Sequence, residues 1–305
     1  MEQRDLVIIG AGPAGLTAAI YGRRAGLSTL VIEKGVFGGA ICVTDEIENW
    51  PGVKHATGPE LGDMFRDHAE SLKTEFMEAE VKSIKENGDS KIVVTDKGEI
   101  EAKALIVATG ASFRKLGCPG EAEFTGKGVS YCATCDGAFF EDLEIAVIGG
   151  GNTAVEEACY LTQFASKVYI VHRRDKFRAD QVAVDRALAN PKIQPVWDSV
   201  VEEIAGDGMV EKVVLKNVKT GEISEIPVSG VFMFVGNTPN AELVKDILET
   251  EKGGWVKTDE KMASSMKGLF VAGDLRSKSL RQVVTAASDG AIAAMSSYEY
   301  IAEHF

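Results

Sequence analysis

Short continuous apolar runs alternate with glycine-rich turns and helix-period stretches along this chain. The first run is Leu6-Val7-Ile8-Ile9. A run with no polar alternation suits a strand buried on both faces, as in a parallel sheet. Gly10-Ala11-Gly12-Pro13-Ala14-Gly15 comes next, and Leu16 to Ala25 predicts a small-residue helix that Gly26 ends. Ser28 to Ile32 predicts the next buried strand, with Glu33 at its end. Strand, glycine loop, helix, strand and acid, in that order, predict the opening unit of a dinucleotide-binding fold.

The order recurs. Glu144 to Ile148 predicts a strand, Gly149 to Ala154 a glycine loop, Val155 to Phe164 a helix and Lys167 to Val171 a strand. Two such units so far apart predict two domains of one architecture, not a short solenoid repeat. Between them, Lys91 to Thr95 with Asp96-Lys97-Gly98 as turn predicts an antiparallel hairpin, and Leu105 to Gly110 a buried strand that leaves through glycine. Val231 to Gly236 and Leu269 to Asp274 repeat strand-then-glycine, and an alanine-rich helix is predicted from about Arg281 to Glu299. Gly and Pro punctuate Lys115–Gly120 and Gly236–Asn240, the two expected linkers. If both are hinges, one domain is inserted in the other. The expected fold is therefore α/β, with two Rossmann-like, three-layer ββα dinucleotide-binding domains. Residues 1–114 and 241–305 form the first, and 115–240 the inserted second.

Composition narrows the setting. The chain has 305 residues, 45% of them apolar, enough for two full cores. Its net charge of −13 disfavours non-specific binding to nucleic acid or anionic membranes. No apolar run is long enough to span a bilayer. The chain enters a strand at once, without the regions of a secretory leader. Five cysteines are too few for a secreted disulfide scaffold of this length, so a reducing cytoplasm is expected.

The two glycine loops differ in the residues that close their second strands. A helix N-terminus offers free N–H groups and a positive dipole end to a pyrophosphate. Gly-x-Gly-x-x-Gly alone is also ordinary turn chemistry, but the flanking strand, helix and Glu33 favour a dinucleotide, with Glu33 placed for a ribose. The first loop itself does not distinguish FAD from NAD. After the second loop the strand ends in His172-Arg173-Arg174, with Arg178 beyond. Arginines bind a 2′-phosphate bidentately where an acid would repel it, so this loop is read as preferring NADPH; the alternative is a solvated basic run.

Cys132-Ala133-Thr134-Cys135-Asp136 lies just upstream of the second loop. Two cysteines at this spacing can close a small reversible disulfide, and Asp136 can pass a proton to a departing thiolate. A zinc half-site or a pair of inert thiols are the alternatives. Structural zinc needs four protein ligands, no second Cys-x-x-Cys or His pair is present downstream, and no metal is expected. Cys159 is expected in the core and Cys118 in a more exposed linker.

The chain closely resembles the low-molecular-weight thioredoxin reductases along nearly its whole length. The motifs that carry the likeness are Gly10 to Gly15, Glu48-Asn49-Trp50-Pro51-Gly52, Ala108-Thr109-Gly110, Cys132 to Gly137, Gly149 to Glu157, His172 to Arg178, Ala272-Gly273-Asp274 and Arg281-Gln282. The resemblance implies FAD in the discontinuous domain and NADPH in the inserted one. It implies hydride transfer from NADPH to FAD, electron transfer to the Cys132–Cys135 disulfide, and dithiol exchange with oxidised thioredoxin, with one domain rotating between half-reactions. Cys135 is then expected to face the flavin, Cys132 to attack thioredoxin, and Asp136 to be the acid. Implied FAD contacts are Gly10, Gly12, Pro13, Ala14, Gly15, Glu33 and Lys34; then Gly39, Ala40, Ile41, Asn49 and Val81; then Thr109, Gly110, Gly273, Asp274, Arg281, Gln282 and Val283. Implied NADPH contacts are Gly149, Gly151, Asn152, Thr153, His172, Arg173, Arg174, Arg178 and Gly236. Phe139 and Phe140 are either a docking patch for thioredoxin or core. A homodimer is also implied.

Two departures stand out. Where the family usually has Gly-Gly-Gln, this chain has Gly38-Gly39-Ala40, with Cys42 nearby where threonine is frequent. Leu275-Arg276-Ser277-Lys278-Ser279-Leu280 also differs from common forms. The alternative activity is reduction of another thioredoxin-like or peroxiredoxin-type disulfide. The sister enzyme that serves an alkyl-hydroperoxide peroxidase carries an extra N-terminal segment, whereas Leu6 here already opens the nucleotide fold.

Overall fold

The computed structural model describes residues 2–43 and 47–305. The chain divides into two compact units, residues 1–112 with 238–305 and residues 113–237.

The first unit begins with β1 (Glu2–Ile9), α1 (Pro13–Arg24), β2 (Thr29–Glu33), α2 (Gly58–Ser71), β3 (Glu75–Glu78), β4 (Val81–Asn87), β5 (Ser90–Thr95), β6 (Gly98–Val107) and β7 (Ala111–Phe113), in which the chain crosses to the second unit. Its main sheet runs β3-β2-β1-β6-β5-β4. β1, β2, β3 and β6 are parallel, whereas β4, β5 and β6 form an antiparallel meander. The hairpin and the strand expected at Leu105–Gly110 are thus not separate. β6 is one ten-residue strand: Ala102 pairs with Lys91 of β5, and Leu105 with Leu269 further along the chain. Side chains of a strand alternate between faces. Leu6 and Ile8 accordingly enter one core with α1 and α2, and Val7 and Ile9 a second core on the opposite face. Both faces are covered, which is why the run carries no polar alternation.

The second unit continues with β8 (Val129–Ser130), α3 (Ala133–Asp136), β9 (Glu144–Ile148), α4 (Asn152–Leu161), β10 (Lys167–Val171), α5 (Gln181–Ala189), β11 (Ile193–Val196), β12 (Ser199–Ala205), β13 (Lys212–Asn217), β14 (Ile223–Pro227) and β15 (Gly230–Met233). Its five-stranded parallel sheet runs β11-β10-β9-β15-β8, with β12-β13-β14 as a separate antiparallel sheet. The same alternation builds the same layers. Ile145 and Val147 pack with α4 and α5, and Ala146 and Ile148 with the antiparallel sheet.

The chain returns through β16 (Asn237–Pro239), then β17 (Leu269–Val271) and α6 (Val283–His304) complete the first unit. The crossings fall at 112/113 and 237/238. Of the two expected linkers, Lys115–Gly120 therefore lies inside the second unit, and Gly236–Asn240 spans the return crossing. Among the described residues, no helix is long and apolar enough to cross a membrane.

Local chemistry sets the helix starts. Thr57 caps α2: its hydroxyl accepts the Glu60 N–H (3.3 Å), and Glu60 accepts the Thr57 N–H (2.8 Å). α1 and α4 differ. Their N-caps, Gly12 and Gly151, supply no side-chain cap, so the first-turn N–H groups remain open to a ligand.

Candidate functional site: two nucleotide loops and a dithiol

In the first unit, a cleft of about 710 Å³ opens at the C-terminal ends of β1 and β2. Gly10, Gly12, Pro13, Ala14, Glu33, Lys34, Gly39, Ala40, Val81, Thr109, Gly110, Gly273 and Asp274 all line it. Gly15 packs behind, where a Cβ would come within 1.8 Å of the Gly10 carbonyl oxygen. Only glycine lets the helix start so close to the loop. The Glu33 carboxylate accepts the Ala11 N–H (2.8 Å) and the Gly35 N–H (2.7 Å), one on each oxygen. It braces the loop and still faces the cleft. Ile41, Asn49, Arg281, Gln282 and Val283 are not among the described lining residues. Asn49 donates to Gln282 (3.2 Å), and the Arg281 guanidinium sits 3.7 Å from the Trp255 ring centroid.

These residues fit FAD. The open N-terminus of α1 suits the pyrophosphate. Asp274 carries a buried Oδ1 with no hydrogen-bond partner, and burial pushes its carboxyl up while Lys278 and Arg281 oppose the rise. A ligand hydroxyl would satisfy that oxygen. Asp289, which sequence reasoning missed, holds the turn. It accepts the Gly273 N–H (3.1 Å), Arg276 Nη1 (2.8 Å) and Lys278 Nζ (2.9 Å). The unusual 275–280 segment thus supplies both cations that neutralise a buried acid of α6. Nothing in its local sequence pairs it with Asp289; only the packing of α6 beside residue 273 does.

In the second unit, α4 starts at the second glycine loop. Gly150 is required there, because a Cβ would lie 2.3 Å from His172 Nδ1. His172 is only 5% exposed, so it props the loop from below. Burial, and then Arg178, Arg174 and Arg173, push its pKa down, leaving the ring neutral at pH 7. Arg173, Arg174 and Arg178 are exposed, and the Arg178 N–H donates to the Gly150 carbonyl (2.7 Å). The basic run is thereby fastened to the loop. Asn152 exchanges two 2.8 Å hydrogen bonds with Asp180, which orients the start of α4. Thr153 and Gly236 are exposed. Free N–H groups beside three cations suit a phosphorylated nicotinamide dinucleotide.

Cys132 and Cys135 form a disulfide, with Cα atoms 5.3 Å apart. Cys132 is the N-cap of α3, and its Sγ accepts the Cys135 N–H (3.2 Å). That N–H favours a thiolate at Cys132 once the bond opens. Asp136 closes the same turn. Its carboxylate accepts the Ser130 hydroxyl (2.5 Å), and Ser130 accepts the Cys132 N–H (3.1 Å). Buried Ser130 therefore ties the acid to the cysteine backbone, a role that no motif announced. The two phenylalanines divide: Phe140 is buried against Phe232, and Phe139 is 41% exposed. Cys118 is partly buried, and burial pushes its thiol up to about 11. Cys159, within α4, packs partly buried against the core. Among the described residues, no group of His, Cys, Asp and Glu could hold a metal ion.

Known proteins resemble this chain along nearly its whole length. The pyridine nucleotide-disulphide oxidoreductase family matches residues 4–290. A thioredoxin reductase from Peptoclostridium acidaminophilum is 48% identical over 308 residues, covering 99% of this chain and 98% of that one. One from Bacillus subtilis is 46% identical over 300 residues, covering 98% and 95%. The crystal structure of thioredoxin reductase from Streptococcus pyogenes has 49% identity and a TM-score of 0.95, covering 99% of each chain. With both nucleotide loops and the dithiol in place, the chain belongs to the pyridine nucleotide-disulphide oxidoreductases, within the low-molecular-weight thioredoxin reductases.

Proposed function

We propose that this protein is an NADPH-dependent thioredoxin-disulfide reductase. The observation that carries the reading is the closed Cys132–Cys135 disulfide, which shares one turn with the Ser130-held Asp136. FAD, when bound, relays the two electrons of the nicotinamide hydride to that disulfide. The first unit binds FAD through its cleft, and the second binds NADPH through Gly149, Gly151 and the exposed arginines.

The disulfide takes up two electrons, the S–S bond breaks, and two protons complete the thiols. Cys132, as thiolate, then attacks a sulfur of oxidised thioredoxin, and the departing thiolate takes a proton. Cys135 attacks Cys132 Sγ, which re-forms the ring and releases thioredoxin as a dithiol. Asp136 moves the proton between the Cys135 sulfur and solvent, with Ser130 holding its carboxylate in place. The crossings at 112/113 and 237/238 are the hinges of the domain rotation. Phe139 contributes to the thioredoxin surface.

The test is an anaerobic titration of the purified protein followed by flavin absorbance. NADPH should bleach the flavin at lower concentration than NADH, and subsequent oxidised thioredoxin should restore the colour. A protein that binds no FAD, or a reduced protein that thioredoxin fails to reoxidise, overturns the proposal.

The protein acts in the cytoplasm as a homodimer formed through the first unit. α1, α2 and α6 leave Tyr21, Met64 and Val284 exposed around a groove floored by Phe65 and Ala287. Sedimentation should give twice the 32.6 kDa chain mass. Met64→Glu should shift the population towards monomer while the flavin spectrum is retained, because a charge in an apolar interface is unpaired. A monomeric parent protein rules out the dimer.

A further inference from the structure

Glu121 is a carboxylate with no part in the reaction steps, and it is only 2% exposed. Three donors converge on it. The N–H groups of Leu116 (3.0 Å) and Gly117 (2.5 Å) come from the segment that leads into the second unit. The third is the hydroxyl of Tyr131 (2.9 Å), the residue before Cys132. The Phe113 ring, just past the crossing, stacks on the Tyr131 ring at 5.1 Å and 22°. Burial, and next the bond to Glu121, push the Tyr131 phenol up to about 12, so it remains a donor throughout the working pH range.

We propose that Glu121 is a positioning residue for the dithiol reaction, because its carboxylate binds the entering segment 113–117 and Tyr131 into one body that sets the pose of Cys132. The inference rests on Cys132–Cys135 being the redox couple. A carboxylate has acceptor sites for all three donors. An amide of the same shape turns an N–H towards one of them, so the knot cannot be complete in the Gln variant. With the knot closed, the entering segment cannot flex independently of the dithiol. At the entering crossing, flexing is thereby confined to residues before Phe113, and the dithiol turns with the unit that carries it.

The test uses the holoenzyme with Glu121→Gln and Tyr131→Phe. Flavin reduction by NADPH, followed anaerobically by stopped flow, should stay within about twofold of the parent in both. The kcat/KM for thioredoxin should fall about tenfold in Glu121→Gln, the loss expected for one charge-assisted hydrogen bond, and by less in Tyr131→Phe. The double variant should be no worse than Glu121→Gln, since the two groups act as one unit. Amide exchange should quicken at 116–117 and at 131–135 together in Glu121→Gln, but at 131–135 alone in Tyr131→Phe. Equal losses in both half-reactions, no loss in either, or additive effects overturn the proposal. If Glu121→Gln does not fold, Tyr131→Phe and Phe113→Leu carry the same comparison. Thioredoxin turnover surviving in Cys135→Ser would instead overturn the dithiol reading. A flat response of Glu121→Gln beside an inactive Cys135→Ser would overturn the clamp alone.

Discussion

Replacing Cys135 with serine is expected to lower thioredoxin-linked turnover by on the order of a thousandfold or more, while NADPH still reduces the flavin at close to the parent rate. The split comes from where the sulfur stands. Cys135 is one half of the bond that receives the electrons, and its amide supports Cys132 Sγ through the backbone, which serine preserves. The variant thus keeps the turn and loses the ring. Cys132 remains able to attack oxidised thioredoxin, but nothing resolves the product, so a mixed disulfide should accumulate. Stopped-flow bleaching of the flavin, thioredoxin-coupled reduction of a disulfide dye and the intact mass of the adduct read the three consequences. Turnover retained with thioredoxin would remove Cys135 from the reaction.

The second large effect is expected at the basic run. Arg173→Ala together with Arg174→Ala should raise the Michaelis constant for NADPH about thirtyfold and that for NADH less than about threefold. A charge-assisted hydrogen bond is worth roughly tenfold in affinity, and two exposed, solvent-screened arginines give somewhat less than the product. Both side chains are exposed beyond the end of β10, so their removal leaves the core intact, whereas His172 beneath the loop is structural. Steady-state kinetics with each nucleotide, repeated at raised salt, measure the ratio. An equal change for NADPH and NADH would place the 2′-phosphate elsewhere.

The contrast between His172 and Arg173 shows how far motifs carry. Both belong to one run, and the run predicts a phosphate site. Which side chain turns in and which turns out depends on the tertiary packing, in which Gly150 leaves just enough room for the buried imidazole. Phe139 and Phe140 split for the same kind of reason, since Phe140 fills the space above Phe232. The glycine loops and Glu33 were legible because a tight turn beside a pyrophosphate admits few residue types at fixed spacing. Arg281 and Asn49 were harder to place, since the first stacks on Trp255 and the second pairs with Gln282. The expected linker at Lys115–Gly120 is another case. Its Gly and Pro mark a change of direction, but Glu121 draws two of its N–H groups inward and makes it part of the second unit.

From the sequence alone come the two dinucleotide units, the order of strands and helices around each loop, the dithiol and the sign of charge where each unit's second strand ends. These depend on short-range rules: strand periodicity, the freedom of glycine, and the spacing of two sulfurs. Tertiary structure alone decided the rest. It joined Asp289 to Gly273, Ser130 to Asp136 and Glu121 to Tyr131, and it merged two expected strands into β6. Those pairings arise where separate elements pack together, and a buried polar group takes whatever partner the packing brings within reach.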